Sequence, residues 1–185
     1  MAYPRRETTR MARNRLSALA LSALLAVLPG QLAGAAETDL TSDKSDRKLV
    51  IYQAFTRLFG NKQDANIPWG TVAQNGVGKF SDFDDKALQG IKQLGVSHIW
   101  YTGVPHHALV ADYTAYGISI DDPDVIKGRA GSPYAVKDYY NVNPDLANDP
   151  AQRLQEFKEL IDRSHQHGLK VMIDIVPNHV ARAYQ

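Results

Sequence analysis

Three short apolar segments alternate with two helical patterns, and this alternation limits the fold more than any other feature of the chain. The apolar segments cover residues 49–55, 96–101 and 169–176. Between them, apolar side chains recur every three or four residues, in one segment that starts at Ser81 or Asp82 and ends at Gly95, and in another that starts at Asp149 and ends at Gly168. Strands joined through helices run parallel with right-handed crossovers, which predicts an α/β fold around a parallel sheet.

The connections between these elements are very unequal in length. Each helix passes to the next strand through little more than one glycine, whereas residues 56–82 and 102–149 connect strands to helices. Loops longer than about 12 to 15 residues are usually functional. Because both follow the carboxyl ends of strands, where α/β proteins place their sites, we expect the active face there.

Composition excludes several classes of protein. The 185 residues are 44% hydrophobic and 22% charged, as in an ordinary globular chain. Cysteine is absent, which excludes disulfides, thiolate metal sites and thiol catalysis. The net charge of +1 offers no footprint for a nucleic-acid partner.

Residues 1–36 have the pattern of a bacterial-type signal peptide. An arginine-rich start precedes an apolar run of 13 residues and then the small residues 33–36. The run is shorter than the roughly 20 residues that span a bilayer, so no membrane attachment is expected once the leader is removed. Its loss changes the net charge from +1 to −3. We expect an exported protein, periplasmic or extracellular, with a flexible lead-in at 37–47.

Asp174 is the most informative polar residue. An ionised carboxylate in an apolar strand costs several kcal/mol unless it finds a cation or hydrogen-bond donors. We expect a cation from a later strand, without which the carboxylate would be half-buried and uncompensated. Asn178 and His179 follow at the same rim. A structural aspartate that only holds a loop is the alternative interpretation.

The residues from Asp174 to His179 resemble the D-x-x-x-N-H motif of the alpha-amylase family of glycoside hydrolases, family 13. Residues 134–139 resemble its Y-x-x-x-D-Y segment, and 51–55 and 98–101 resemble its first two barrel strands. The resemblance covers residues 48–185. It implies the amino-terminal portion, about three βα units, of a (β/α)8 TIM barrel that acts on α-glucans or malto-oligosaccharides with retention.

The resemblance also implies roles for single residues. The family's nucleophile, general acid and third carboxylate come from the fourth, fifth and seventh strands, which this chain lacks. Asp174 would organise the site, His179 would donate to a sugar hydroxyl, Asn178 would bind a structural calcium where one exists, and Tyr134 would stack on the cleaved sugar. No organic cofactor is implied.

His106 and His107 are further candidates. They follow the second strand at the rim and are placed to meet sugar hydroxyls, although surface loop histidines are the commoner case.

Several functions therefore stay open. The resemblance favours the amino-terminal part of an exported α-glucan hydrolase, inactive by itself because 149 residues follow the leader whereas the closed barrel needs about 250. A transglycosylase or isomerase of the same family shares the motifs. A non-catalytic carbohydrate-binding relative and a calcium-binding export or adhesion domain are the alternatives outside enzymology. The sequence does not specify the glucan, endo or exo action, or the oligomeric state.

We predict that export is accompanied by cleavage after Ala35 or Ala36, because the small residues there match a signal-peptidase site. Amino-terminal sequencing of the exported protein checks this. A mature protein that begins at Met1 would contradict the interpretation.

Overall fold

The computed structural model describes residues 48–185, so the predicted leader and lead-in lie outside the described residues. The strands are β1 Ile51–Phe55, β2 His98–Thr102, β3 Pro105–His107, β4 Val136–Val142 and β5 Lys170–Ile173. The α-helices are α1 Val72–Asn75, α2 Asp85–Gln93 and α3 Arg153–Gln166.

A parallel sheet with the strand order β1-β2-β5 forms the centre of the described part. In its register Ala54 lies beside Tyr101, and Tyr101 lies beside Ile173. The predicted parallel sheet is confirmed. Its three carboxyl ends face the same edge, so the long connections after β1 and β2 and the segment after β5 meet there.

The first long helix begins later than its sequence pattern predicts. Asp84 is its N-cap, and the Asp84 carboxylate accepts a hydrogen bond from the Ala87 backbone N–H at 2.8 Å. Ser81 and Asp82 instead belong to a preceding 3₁₀ turn, Phe80–Asp82. Several neighbouring side chains are able to cap, and the one that reaches the N–H of the third helical residue starts the helix.

The second long helix is also preceded by a 3₁₀ turn. Asp149 caps that turn, Pro150–Gln152, and the α-helix itself begins at Arg153. At 14 residues, α3 is short for a bilayer span. Over residues 48–185, no helix combines the length and the apolar character needed to cross a membrane.

The core lies between the parallel sheet and the two long helices. Leu88 and Ile91 of α2, and Leu160 of α3, are buried with Ile99 and Tyr101 of β2. Burying a large apolar side chain contributes roughly 1.5–3 kcal/mol, so this cluster is the main source of stability in the described part.

A two-stranded antiparallel sheet occupies the long connection after β2, which the sequence pattern presents as a loop. The three-residue β3 pairs with β4, with irregular register around His106. Lys137 of β4 forms a buried ion pair with Asp121 at 2.7 Å. The Lys137 ammonium also donates to the Ser119 carbonyl at 2.6 Å, so the buried charge is compensated.

A second ion pair joins the connection after β1 to the segment after β4. Arg57 contacts Asp145 at 2.6 Å, and the Tyr113 hydroxyl donates to the same carboxylate at 2.6 Å. Burial is the main cause that raises the pKa of Tyr113, which keeps the phenol protonated as the donor. The connections on the carboxyl edge are therefore bonded to one another.

Candidate active site

Asp174 lies at the carboxyl edge of the sheet, directly after β5, and is 6% exposed. One carboxylate oxygen accepts the indole N–H of Trp100 at 2.9 Å, and the other accepts the backbone N–H of Gly103 at 2.8 Å. The expectation of a half-buried, uncompensated carboxylate is wrong. Two neutral N–H donors satisfy Asp174 within the described chain, without a cation.

Gly103 has to be glycine for this contact to form. Its φ of +81° is in the left-handed region, and a Cβ there would lie 3.0 Å from the Phe55 ring and 3.2 Å from Pro133. Residue 103 therefore turns the chain after β2 and brings its N–H to Asp174 while its α-carbon lies against neighbouring side chains.

A cleft of about 490 Å³ opens above this turn. Its walls include Phe55 from the end of β1, Gly103, His107 and Tyr134. The Tyr134 ring is 45% exposed, which leaves it available to a ligand. The structure thus places Tyr134 and His107 on one cleft, with Asp174 bonded to its Gly103 wall. An aromatic ring beside polar groups is suited to the apolar face and hydroxyls of a sugar.

His106 does not lie on this cleft, and its assignment as a substrate-binding residue is wrong for the described structure. It is 1% exposed, and neither ring nitrogen has a hydrogen-bond partner among the described residues. Burial, with smaller contributions from Lys137 and His107, lowers the pKa of His106 to about 4 against the opposing effect of Asp121 and Asp138. His106 is therefore a neutral, buried residue of β3, paired with Asp138 of β4.

His107 is a buried residue that also forms part of the cleft wall. Its Nε2 lies 3.0 Å from the Ala130 carbonyl and its Nδ1 lies 3.2 Å from the Pro105 carbonyl. Burial lowers the pKa of His107 despite these carbonyls, so the neutral ring bonds to one of them at a time. The interpretation of both histidines as surface loop residues is wrong because β3 carries them into the interior.

Asn178 and His179 lie beyond β5 on an exposed segment. The Asn178 amide nitrogen contacts Nδ1 of His179 at 3.3 Å. Upstream, the Tyr139 hydroxyl accepts the Val176 N–H and donates to the Val176 carbonyl, both at 2.8 Å. Tyr139 thereby holds the start of the segment that carries Asn178 and His179 against β4.

The calcium prediction at Asn178 stays a prediction. In residues 48–185 no group of three or more His, Asp or Glu side chains is placed to hold a metal ion. Calcium takes six to eight oxygen ligands, and the exposed amide of Asn178 supplies only one of them. No chemical step is therefore assigned to calcium.

Trp100 and Gly103 are site residues that sequence reasoning missed. A usable signal existed for Trp100: an indole N–H in a buried strand needs an acceptor, and Asp174 is the carboxylate at the end of the adjacent strand. No comparable signal identifies Gly103, because its role depends on the position of Phe55 and Pro133.

Comparison with known proteins now identifies the class of protein. The family model described as "Alpha amylase, catalytic domain" matches residues 53–185. The chain therefore belongs to the alpha-amylase family of glycoside hydrolases, family 13.

Individual relatives agree with this assignment. A cyclomaltodextrin glucanotransferase of Bacillus sp. (strain 1011) is 28% identical over 150 residues, covering 80% of this chain and 20% of the relative. Pullulanase A of Streptococcus pneumoniae serotype 2 is 28% identical over 146 residues, covering 75% of this chain and 11% of the relative. This chain thus spans about a fifth or less of the length of these curated relatives.

A solved structure gives the same result for the fold. The crystal structure of an alpha-amylase from Lactobacillus plantarum is 32% identical, with a TM-score of 0.50, and the match covers 74% of this chain and 24% of that one. The architecture is consistent with part of a family TIM barrel.

We predict that Asp174→Asn lowers kcat/KM on α-glucans at least a hundredfold in the whole protein that contains this chain. The amide replaces one acceptor by a donor that faces another N–H, so the free energy of unfolding should also fall by about 1–3 kcal/mol. Enzyme kinetics and urea unfolding measure the two effects. The exposed Asp124→Asn is the matched control, and unchanged kinetics for Asp174→Asn would remove this residue from the site.

We also predict that the neutral His106 makes stability depend on pH. The unfolded ring titrates near 6.5 and the folded one near 4, so the unfolded state binds more protons between these values. The stability that depends on a neutral His106 is fully present above pH 6.5, and it is lost as the pH falls toward about 4. Urea unfolding across this range should show a weaker pH dependence in His106→Leu and an unaltered one in the exposed His165→Gln. If His106→Leu showed the same pH dependence of stability as the unmodified protein, the assignment of His106 as a buried, neutral residue would be contradicted.

Proposed function

We propose that this chain is the amino-terminal part of an exported, alpha-amylase-like enzyme that hydrolyses α-glucans with retention of configuration. One observation supports this above the others. Within the family match, the buried Asp174 is bonded to the wall of a cleft that carries the exposed ring of Tyr134. A fixed carboxylate that holds one wall of a cleft with an aromatic platform is suited to positioning a sugar at the edge of the sheet.

The residues of this chain would bind and orient the substrate. Tyr134 offers its ring to the apolar face of the reacting sugar, and His179 donates to a hydroxyl from the exposed segment after β5. Asp174 is a positioning residue, because it holds the Gly103 turn and the Trp100 ring rather than facing the substrate directly in the described chain.

The bond-breaking groups would come from later strands. Retention requires two carboxyl groups about 5 to 5.5 Å apart, one a nucleophile and the other an acid and then a base. By the family resemblance, these belong to the fourth and fifth barrel strands. We therefore propose that residues 48–185 supply groups that bind the substrate within the whole protein, and that the bond-breaking groups come from other strands.

Exposed apolar side chains on both edge strands of the sheet support the proposal that further strands complete a barrel. Ile51 and Phe55 on one edge strand, and Met172 and Ile173 on the other, are exposed. Ile175 beyond β5 is 77% exposed. Open parallel edges with apolar side chains favour association.

A transglycosylase is the second candidate. The relative from Bacillus sp. (strain 1011) carries the name cyclomaltodextrin glucanotransferase. Transfer to a sugar and transfer to water share the first chemical step and differ in the acceptor, so the residues described here fit both. Product analysis by chromatography distinguishes larger glucans from released reducing sugar.

The proposal is tested by comparing residues 37–185 with the whole protein on starch. We expect the isolated piece to be aggregated or molten and to release no reducing sugar, and the whole protein to be active. A monodisperse, cooperatively melting and active piece would overturn the proposal.

Within the whole protein, Tyr134→Ala should lower kcat/KM about tenfold or more by removing the sugar platform. The matched control is Tyr116→Ala, since Tyr116 has a similar exposure and lies away from the cleft. A whole protein that binds glucans without cleaving or transferring them would favour the non-catalytic carbohydrate-binding relative.

A further inference from the structure

Trp69 has a backbone conformation that is unusual for a bulky side chain. The Gly70 N–H donates to the Ile67 carbonyl at 2.9 Å and closes a turn in which Pro68 is second and Trp69 third. Trp69 has a φ of +57°. Glycine or asparagine normally fills the third position of such a turn, because a bulky side chain is strained there. The strain is not offset by burial, since Trp69 is 58% exposed.

Hydrogen bonds from two asparagine side chains hold this turn in place. Asn75 accepts the Ile67 N–H at 2.8 Å and donates to the Ile67 carbonyl at 2.9 Å, so one side chain bonds both backbone groups of the turn's first residue. Asn61 donates to the Asn75 carbonyl at 2.9 Å. The backbone that carries the exposed indole is therefore held in place, and a preorganised segment loses less entropy when a ligand binds.

Trp69 forms one wall of a polar cleft of about 230 Å³. Asn61, Asn66 and Asn75 also line it, with amides that are already bonded to backbone groups of the loop, and Lys127 and Arg129 line the same cleft with their charged groups. Among the described residues neither Lys127 nor Arg129 forms an ion pair. The cleft thus combines an aromatic ring with several donors, the chemistry that recognises a sugar by one apolar face and its hydroxyls.

This cleft adjoins the one that carries Tyr134. The two share the lining residues Arg57, Leu58, Lys127 and Ala130. Arg57 is held by Asp145, so the common wall is fixed. A ligand that extends beyond the Tyr134 cleft across Arg57 and Leu58 reaches Trp69.

We propose that the Trp69 cleft is a further sugar-binding subsite, which takes a distant glucose unit of an α-glucan whose reacting unit lies at Tyr134. The inference rests on the proposed function for the substrate class. It adds that Trp69, in a strained turn outside the segments 134–139 and 174–179, makes this chain bind longer oligosaccharides more tightly than short ones.

The test uses the whole protein and the probes maltotriose and maltoheptaose. Trp69→Gly removes the ring and relieves the positive φ, so the melting temperature should stay equal or rise. The same variant should bind maltoheptaose about tenfold more weakly and maltotriose within twofold of the unmodified protein. Trp69→Phe retains an aromatic ring and should lose less affinity for maltoheptaose than Trp69→Gly. The exposed Leu94→Ala, at the opposite edge of the sheet, is the control.

Calorimetric titration and thermal unfolding separate the outcomes. Unaltered maltoheptaose binding in Trp69→Gly, with an unmodified protein that still cleaves starch, overturns the subsite and leaves the proposed function intact. Equal weakening for both oligosaccharides together with a lower melting temperature shows a structural role and also overturns it. An unmodified protein that neither binds these sugars nor cleaves starch overturns the proposed function and the subsite together.

Discussion

The Asp174 carboxylate connects the ends of two neighbouring strands, and the site is arranged around it. The residue follows β5, while its partners are Trp100 in β2 and Gly103 in the turn after β2. A buried carboxylate without donors costs several kcal/mol, so both N–H groups have to stay in place. This requirement fixes the Gly103 turn, which begins the path toward β3 and forms part of the Tyr134 cleft.

The remaining connections are held by charges that are paired away from water. Lys137 of β4 pairs with Asp121, and Arg57 and Asp145 join the connection after β1 to the segment after β4. Removing one partner of a buried pair is strongly destabilising, because the other charge stays buried. Arg57 also lines both clefts, so the pair that secures the loops shapes the surface that the two clefts share.

Sequence reasoning succeeded where the determining interactions are local. Three apolar segments and two helical patterns predicted the parallel sheet, and the structure differs at the ends of these elements: Asp84 rather than Ser81 or Asp82 provides the first helix cap, and β5 ends at Ile173, before Asp174. It failed for the antiparallel pair, because β3 has three residues and its partner lies almost thirty residues later. His106 was misplaced for the same reason: a histidine after a strand is buried only if another strand covers it.

The sequence by itself determined the order of the three parallel strands and the two long helices, the edge where the candidate site lies and the motif that contains Asp174, since periodicity and residue spacing are properties of the local chain. Tertiary structure decided what Asp174 bonds to, because Trp100 is 74 residues distant and becomes a neighbour only when β2 and β5 pair. It also decided that His106 is buried and that Trp69 is exposed in a strained turn. Burial and backbone conformation at these positions depend on segments far along the chain, which no local pattern records.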